Sequence, residues 1–314
     1  MMKLRTGIFF LLLFFLGKQT SAQYYYYNND YYNNNWLYEV GGSIGAMNSL
    51  TDLGGRKGIG KRGVKDFNIK NTNLSSSAYI GVIYRNEIAL RLEGSFGQVR
   101  GYDSILAKVA KTTNGRYERN LSFRSSITEI SVIAEFHPVW IFGNFNQDHF
   151  PPDFSPYVLI GFGYFHFNPK TELNGTSVAL QPLHTEGEGF SEYPDRKNYS
   201  LNQTCIPIGI GVKYELSAFF NVRAEFVSRI LQTDYLDDVH SRYIDPAVFA
   251  NHLSGVQLNQ ALILNNRYRG GLVPMSNTAH PGGIRGDPKQ NDSYFSFNLK
   301  IGLVLGREKR FRGY

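Results

Sequence analysis

Beyond residue 35 the chain alternates apolar and polar side chains at every second position in a series of separate blocks, the period of a strand whose two faces meet different surroundings. The block at 219–231 is the clearest. Phe220, Val222, Ala224, Phe226, Ser228 and Ile230 fall on one face, and Asn221, Arg223, Glu225 and Arg229 on the other. Residues 36–47, 75–84, 87–99, 121–137, 156–167, 203–215 and 293–305 repeat the pattern, for example Ile88, Leu90, Leu92 and Phe96 against Arg91, Glu93 and Ser95. Their connections run long, short, long, intermediate, long, short and long, at 48–73, 85–86, 100–120, 138–155, 168–202, 216–218 and from 232 to 292.

An oily face backed by a charged face fits either a two-sheet sandwich or a barrel with lipid outside and a polar interior. The loop asymmetry favours the second. It predicts an all-β, roughly eight-stranded antiparallel transmembrane β-barrel with long extracellular loops, short periplasmic turns and both termini in the periplasm. Trp36, Tyr38, Tyr84, Phe136, Trp140, Tyr157, Tyr214 and Phe219 gather at the ends read as periplasmic, where an interfacial girdle belongs and which a sandwich does not require. The inward face holds Arg91, Glu93, Glu129, Lys213, Arg223, Glu225 and Lys300, together with Glu39, Glu135 and Arg229. A barrel of about eight strands has room only for side chains. These opposed charges are therefore expected to pair and plug the lumen, forming a charge network rather than an open pore.

Composition sets the compartment. Residues 1–22 have a basic start at Lys3 and Arg5, an apolar core and a Thr20-Ser21-Ala22 site, the pattern of a secretory signal peptide too short to span a membrane. Without Lys3, Arg5 and Lys18, the 33 basic residues become 33 − 3 = 30 against 26 acidic ones. Export and this mild balance argue against a nucleic-acid partner. Cys205 is the sole cysteine, so no internal disulfide is possible and a small buried or wall-facing role is expected. Residues 23–35 form a Tyr/Asn-rich tract read as a periplasmic tail, leaving 36–314 as the barrel. The basic Gly-rich run at 54–63 lacks phosphate-loop spacing and reads as a solvated loop. Its Arg56, Lys57, Lys61 and Arg62 are placed to touch outer-membrane lipid and lipopolysaccharide if the loop faces outward. Within 245–261 the apolar spacing allows a short helix over the barrel mouth. Asp103-Ser104-Ile105 resembles the short O-glycosylation sequon of Bacteroidota exported proteins.

Directly after the Arg223–Glu225 strand comes Thr233, Asp234, Tyr235, Leu236, Asp237, Asp238, Val239, preceded by a Gly-rich strand at 208–215. This stretch resembles the T-D-Y-L-D-D-V signature of PorG-like outer-membrane β-barrels, a Bacteroidota family tied to the type IX secretion system. The likeness is clearest over 207–243. It departs from the family pattern at His240, which intervenes before Ser241. The resemblance implies an outer-membrane barrel that anchors the periplasmic ring complex, with a ring lipoprotein and its partner subunit as contacts. The periplasmic tail and turns, notably 138–155, are the expected contact segments. The main alternative is a surface-binding barrel whose long outer loops engage an external ligand or neighbouring surface proteins.

Catalysis in such a barrel needs a base beside an activated nucleophile or water. His137 falls at the periplasmic rim and His166 at the outer rim, and no Ser, His and carboxylate set is expected to converge on one rim. The reading is therefore not an enzyme and without a cofactor. Asp234, Asp237 and Asp238 carry oxygens suited to a hard cation, but without EF-hand spacing. Capping of loop amides explains the same carboxylates, so no metal is assigned.

Overall fold

A computed structural model describes residues 34–53, 68–113, 115–143, 153–217, 219–269 and 280–306. The expected signal peptide, the Tyr/Asn tract up to residue 33, the basic Gly-rich run at 54–63 and residues 144–152 of the periplasmic connection lie outside the described residues.

Among the described residues ten strands form one sheet: β1 Trp36–Leu50, β2 Asn73–Tyr84, β3 Ile88–Tyr102, β4 Ser122–Phe136, β5 Phe154–His166, β6 Pro169–Leu173, β7 Thr176–Ala179, β8 Asn202–Glu215, β9 Phe220–Leu231 and β10 Ser293–Leu305. Eight of them close into an antiparallel barrel in the order β1, β2, β3, β4, β5, β8, β9, β10, with β10 returning to β1 and β3 pairing β4 across the seam. Closure leaves the eight-stranded wall without a free edge, which a backbone in hydrocarbon requires. The sandwich alternative is thereby excluded. Each expected strand is present with its inner and outer faces as read from the alternation.

The outward face is oily. Ile44 is 73% exposed, and Phe162, Ile210 and Ile301 are each 62% exposed, while the inward Glu225 is 0% and Lys213 and Lys300 are 1% exposed. That is the inverse of a water-soluble protein and the arrangement of a wall that faces lipid.

Turn chemistry fixes the short end. β2 and β3 meet at Arg85 and Asn86, both with positive φ (50° and 58°), the backbone of a tight twisted hairpin. Around this end Trp36, Tyr38, Tyr84, Phe136, Tyr214 and Phe219 are exposed, and Trp36 and Tyr84 pack at 4.7 Å between ring centroids. Two members of the expected girdle differ. Tyr157 is only 2% exposed because odd positions of β5 point inward, and Trp140 sits half-buried on the short helix Pro138–Phe142.

At the opposite end the described parts of the long connections fold into a cap. The β6–β7 hairpin, inside a segment expected to be loop, turns at Asn174-Gly175, both with positive φ, and extends the sheet above β4. The last connection carries helices Phe249–His252 and Gly255–Asn265. Phe249, Ala261 and Leu264 from these helices join Leu183, Phe190, Leu236 and Val239 of the loops and Met47, Phe123, Phe165 and Tyr294 of the strands in one buried cluster. The cap is therefore continuous with the outer half of the barrel core.

Candidate functional site

Two polar systems are buried in this fold. The first fills the lumen, where five carboxylates (Glu39, Glu93, Glu129, Glu135, Glu225) face five cations (Arg91, Lys213, Arg223, Arg229, Lys300), all buried. Arg91 grips Glu225 with both terminal nitrogens (2.7 and 2.8 Å), reaches Glu93 through Nε (2.8 Å) and also contacts Glu135. Arg223 donates to both oxygens of Glu135 (2.8 and 2.7 Å) and to Glu39 (2.5 Å). Lys300 bridges Glu93 (2.6 Å) and Glu225 (3.0 Å), and Arg229 pairs Glu129 at 3.1 Å. Lys213 lies within electrostatic reach of Glu39 and His137. Tyr79 donates to Glu39, Tyr157 to Glu225 and Tyr294 to Glu129.

The spacing along the strands explains this ladder. Arg91 and Glu93, or Arg223 and Glu225, are two apart and so point inward from successive pleats, while barrel tilt brings charges from other strands to the same level. Glycines make the room: a Cβ on Gly302 would meet the Tyr79 hydroxyl at 2.6 Å as well as the Glu39 carboxyl. Each isolated charge would cost several kcal/mol to bury, and only mutual pairing offsets that cost. Below the ladder Leu37, Ile83, Ala89 and Val304 form an apolar floor, and above it the capped core begins. An apolar hollow of ≈ 440 Å³ beside Pro138, Val158, Ile210 and Phe297 lies on the outer wall, not in the lumen.

One expectation is corrected at the floor. Ser155, His137 and Glu135 do converge, with His137 Nδ1 3.1 Å from Ser155 Oγ and Nε2 3.3 Å from Glu135 Oε2. The ends of β4 and β5 are neighbours in the sheet, and all three residues point inward. Ser155 is 2% and His137 1% exposed, and Glu135 is committed to Arg91 and Arg223. This set therefore reads as part of the plug. His166 stands at the outer rim, bonded to Asn202 at 2.9 Å.

The second system is the signature segment, which sits in the cap and ties the outer loops together. Asp237 accepts the amides of Leu53 (3.1 Å) in the first long loop and of Val239 (3.0 Å). Asp238, at φ 65°, accepts from Thr185 and Tyr199 of the third loop, each at 2.6 Å. Asp234 meets His240 at 2.8 Å, Tyr235 stacks on Tyr199 at 4.5 Å, and Leu236 is wholly buried. Thr233 holds Tyr235 through its hydroxyl and Asp292 through its carbonyl. Arg285 joins the Asp238 carbonyl (2.7 Å) to Glu186 (2.9 Å), and Arg119 of the second loop clasps Asp103 and the Asp52 carbonyl.

This knot is rich in acid. Burial and the neighbouring Asp238 and Glu186 push Glu188 up to about 8, and burial with Asp237 beside it pushes Asp234 up to about 10. Burial also raises Asp237 and Asp292 well above the usual carboxylate range. Among the described residues no group of three or more His, Cys, Asp or Glu side chains is arranged to hold a metal ion. The carboxylates instead accept amide, hydroxyl and guanidinium hydrogens, as loop-capping groups do.

No family model and no curated protein matches the chain. Among solved structures it is similar to Neisserial surface protein A (8% identity, 86% of this chain and 97% of that one, TM-score 0.37). It is likewise similar to the attachment invasion locus protein Ail of Yersinia pestis (11% identity, 85% and 99% covered, TM-score 0.34). A major outer membrane protein of Thermus thermophilus is a third (10% identity, 86% and 99%, TM-score 0.35). Independently of them, the closed sheet, oily belt, aromatic rim and charge-filled interior make this chain an eight-stranded outer-membrane β-barrel.

Proposed function

We propose that this barrel is the outer-membrane component of the type IX protein secretion system and anchors the periplasmic ring, contacting the ring lipoprotein and its partner subunit. The observation that carries the reading is the signature at 233–239, whose resemblance to PorG-like barrels falls on a segment that organises the whole cap. A filled lumen suits an anchor better than a conduit. At the periplasmic end Phe142 is 84% and Ile141 39% exposed on the helix after β4, an apolar surface in the connection where the contact is expected. The test is deletion of residues 23–35 and replacement of 138–155 by a short hairpin, with recovery of ring subunits as the readout. Loss of recovery with the barrel still folded supports the reading, and unchanged recovery overturns it.

A second reading, a surface-binding barrel, is favoured by Val256 (71% exposed) and Ile263 (48% exposed) on the cap helix Gly255–Asn265. Protease shaving of outer loops on whole cells separates the two, since the anchor retains its function and the surface binder loses it.

A further inference from the structure

The cationic arc on the outer rim points to a lipid partner. Arg100 on β3 stands directly opposite Arg124 on β4, and Arg124 directly opposite Lys170 on β6. Arg100 and Arg124 share the parity of the outward Phe96 and Ile130 of their own strands, and Lys170, in register with Arg124, falls on the same face, away from the barrel axis. Lys70 adjoins them, its carbonyl accepting from Arg100 Nη2 at 2.9 Å. Like charges opposed across strands destabilise a sheet unless something neutralises them. Among the described residues none of these four cations is ion-paired. Glu172, the next outward carboxylate along β6, lies within electrostatic reach of Arg267. The Nε of Arg100 is enclosed without a protein partner. At the outer end of β8 the outward positions Asn202 and Thr204 carry no charge.

The height fits a headgroup. Arg100 is four positions above Phe96, about 13 Å along a strand and about 10 Å along the barrel axis at ordinary tilt. Arg and Lys stems reach back from there toward the interface. We propose that Lys70, Arg100, Arg124 and Lys170 form a docking surface for the phosphate groups of a phosphorylated glycolipid in the outer leaflet. The surface depends on the outer-membrane location of the barrel and not on its role in secretion.

The test titrates the purified full-length protein, in a zwitterionic detergent, with a bis-phosphorylated lipid A and with its dephosphorylated form. Each basic residue near an anionic surface contributes about fivefold, so Arg100→Gln/Arg124→Gln/Lys170→Gln is expected to weaken binding of the phosphorylated lipid roughly hundredfold. Lys170→Gln alone, on the exposed hairpin, is expected to weaken it about fivefold and serves if the triple variant misfolds. Asn202→Ala/Thr204→Ala at the outer end of β8 is expected to change nothing. Equal binding of the two lipid forms, or unchanged binding by the variants, overturns the proposal. Displacement by inorganic phosphate as effective as by the lipid assigns the arc to free phosphate and overturns the lipid assignment.

Discussion

Replacing Arg223 by Met tests the lumen account at its most connected point. Arg223 is 2% exposed and binds Glu135 twice and Glu39 once, so Arg223→Met leaves Glu39 without its guanidinium and Glu135 dependent on Arg91. Breaking a buried pair by removing one partner costs about 3–5 kcal/mol, because the surviving charge stays desolvated. At roughly 2–4 °C per kcal/mol for a chain of this size, the thermal midpoint in detergent should fall by about 6–20 °C. Arg223→Met/Glu135→Met restores charge balance, so its loss should be smaller than the sum of the two single losses by about 1 kcal/mol or more. Thermal unfolding followed by heat-modifiable electrophoretic mobility reads all four proteins. A drop under about 2 °C for Arg223→Met, with additive losses in the double variant, would refute the idea that these charges are held by one another.

Three further outcomes follow from the same geometry. The purified barrel should pass no steady ionic current in a planar bilayer, since side chains fill its lumen; an ohmic channel from the wild type would contradict the plug. Asp238→Ala removes the acceptor of Thr185 and Tyr199 and leaves Ala at φ 65°, a loss of about 2–4 kcal/mol seen as faster proteolysis of the outer loops; Asp238→Asn, which tolerates that backbone, should lose less. The cap should loosen with rising pH. Glu188 is held up at about 8 against 4.5, so the unfolded cap releases a proton that the folded cap keeps, and stability falls between those two values. Loop proteolysis at pH 5, 7 and 9 checks the sign, and resistance that grows with pH would contradict it.

The barrel is legible because a two-sided strand writes its environment into every second residue. In β9, Phe220 to Ile230 and Asn221 to Arg229 declare lipid and lumen without any long-range information. Where parity is overlooked, the reading fails: Tyr157 lies near the periplasmic end of β5 but points inward to Glu225. The Asn174-Gly175 turn is a readable hairpin signal inside a segment otherwise rich in loop residues. The cap is not legible. Asp238 depends on Thr185 and Tyr199, and Asp237 on Leu53, contacts across long stretches of chain that no periodicity records. Likewise the meeting of Ser155 with His137 and Glu135 follows from the closeness of two strand ends, which a linear scan for catalytic residues does not bring together.

Native affinity purification of the detergent-solubilised protein, with mass spectrometric identification of what accompanies it, decides whether the barrel has the proposed anchoring role. Recovery of the periplasmic ring lipoprotein and its partner subunit is expected. Recovery of outer-membrane or extracellular proteins alone would contradict it and transfer the function to the outer cap.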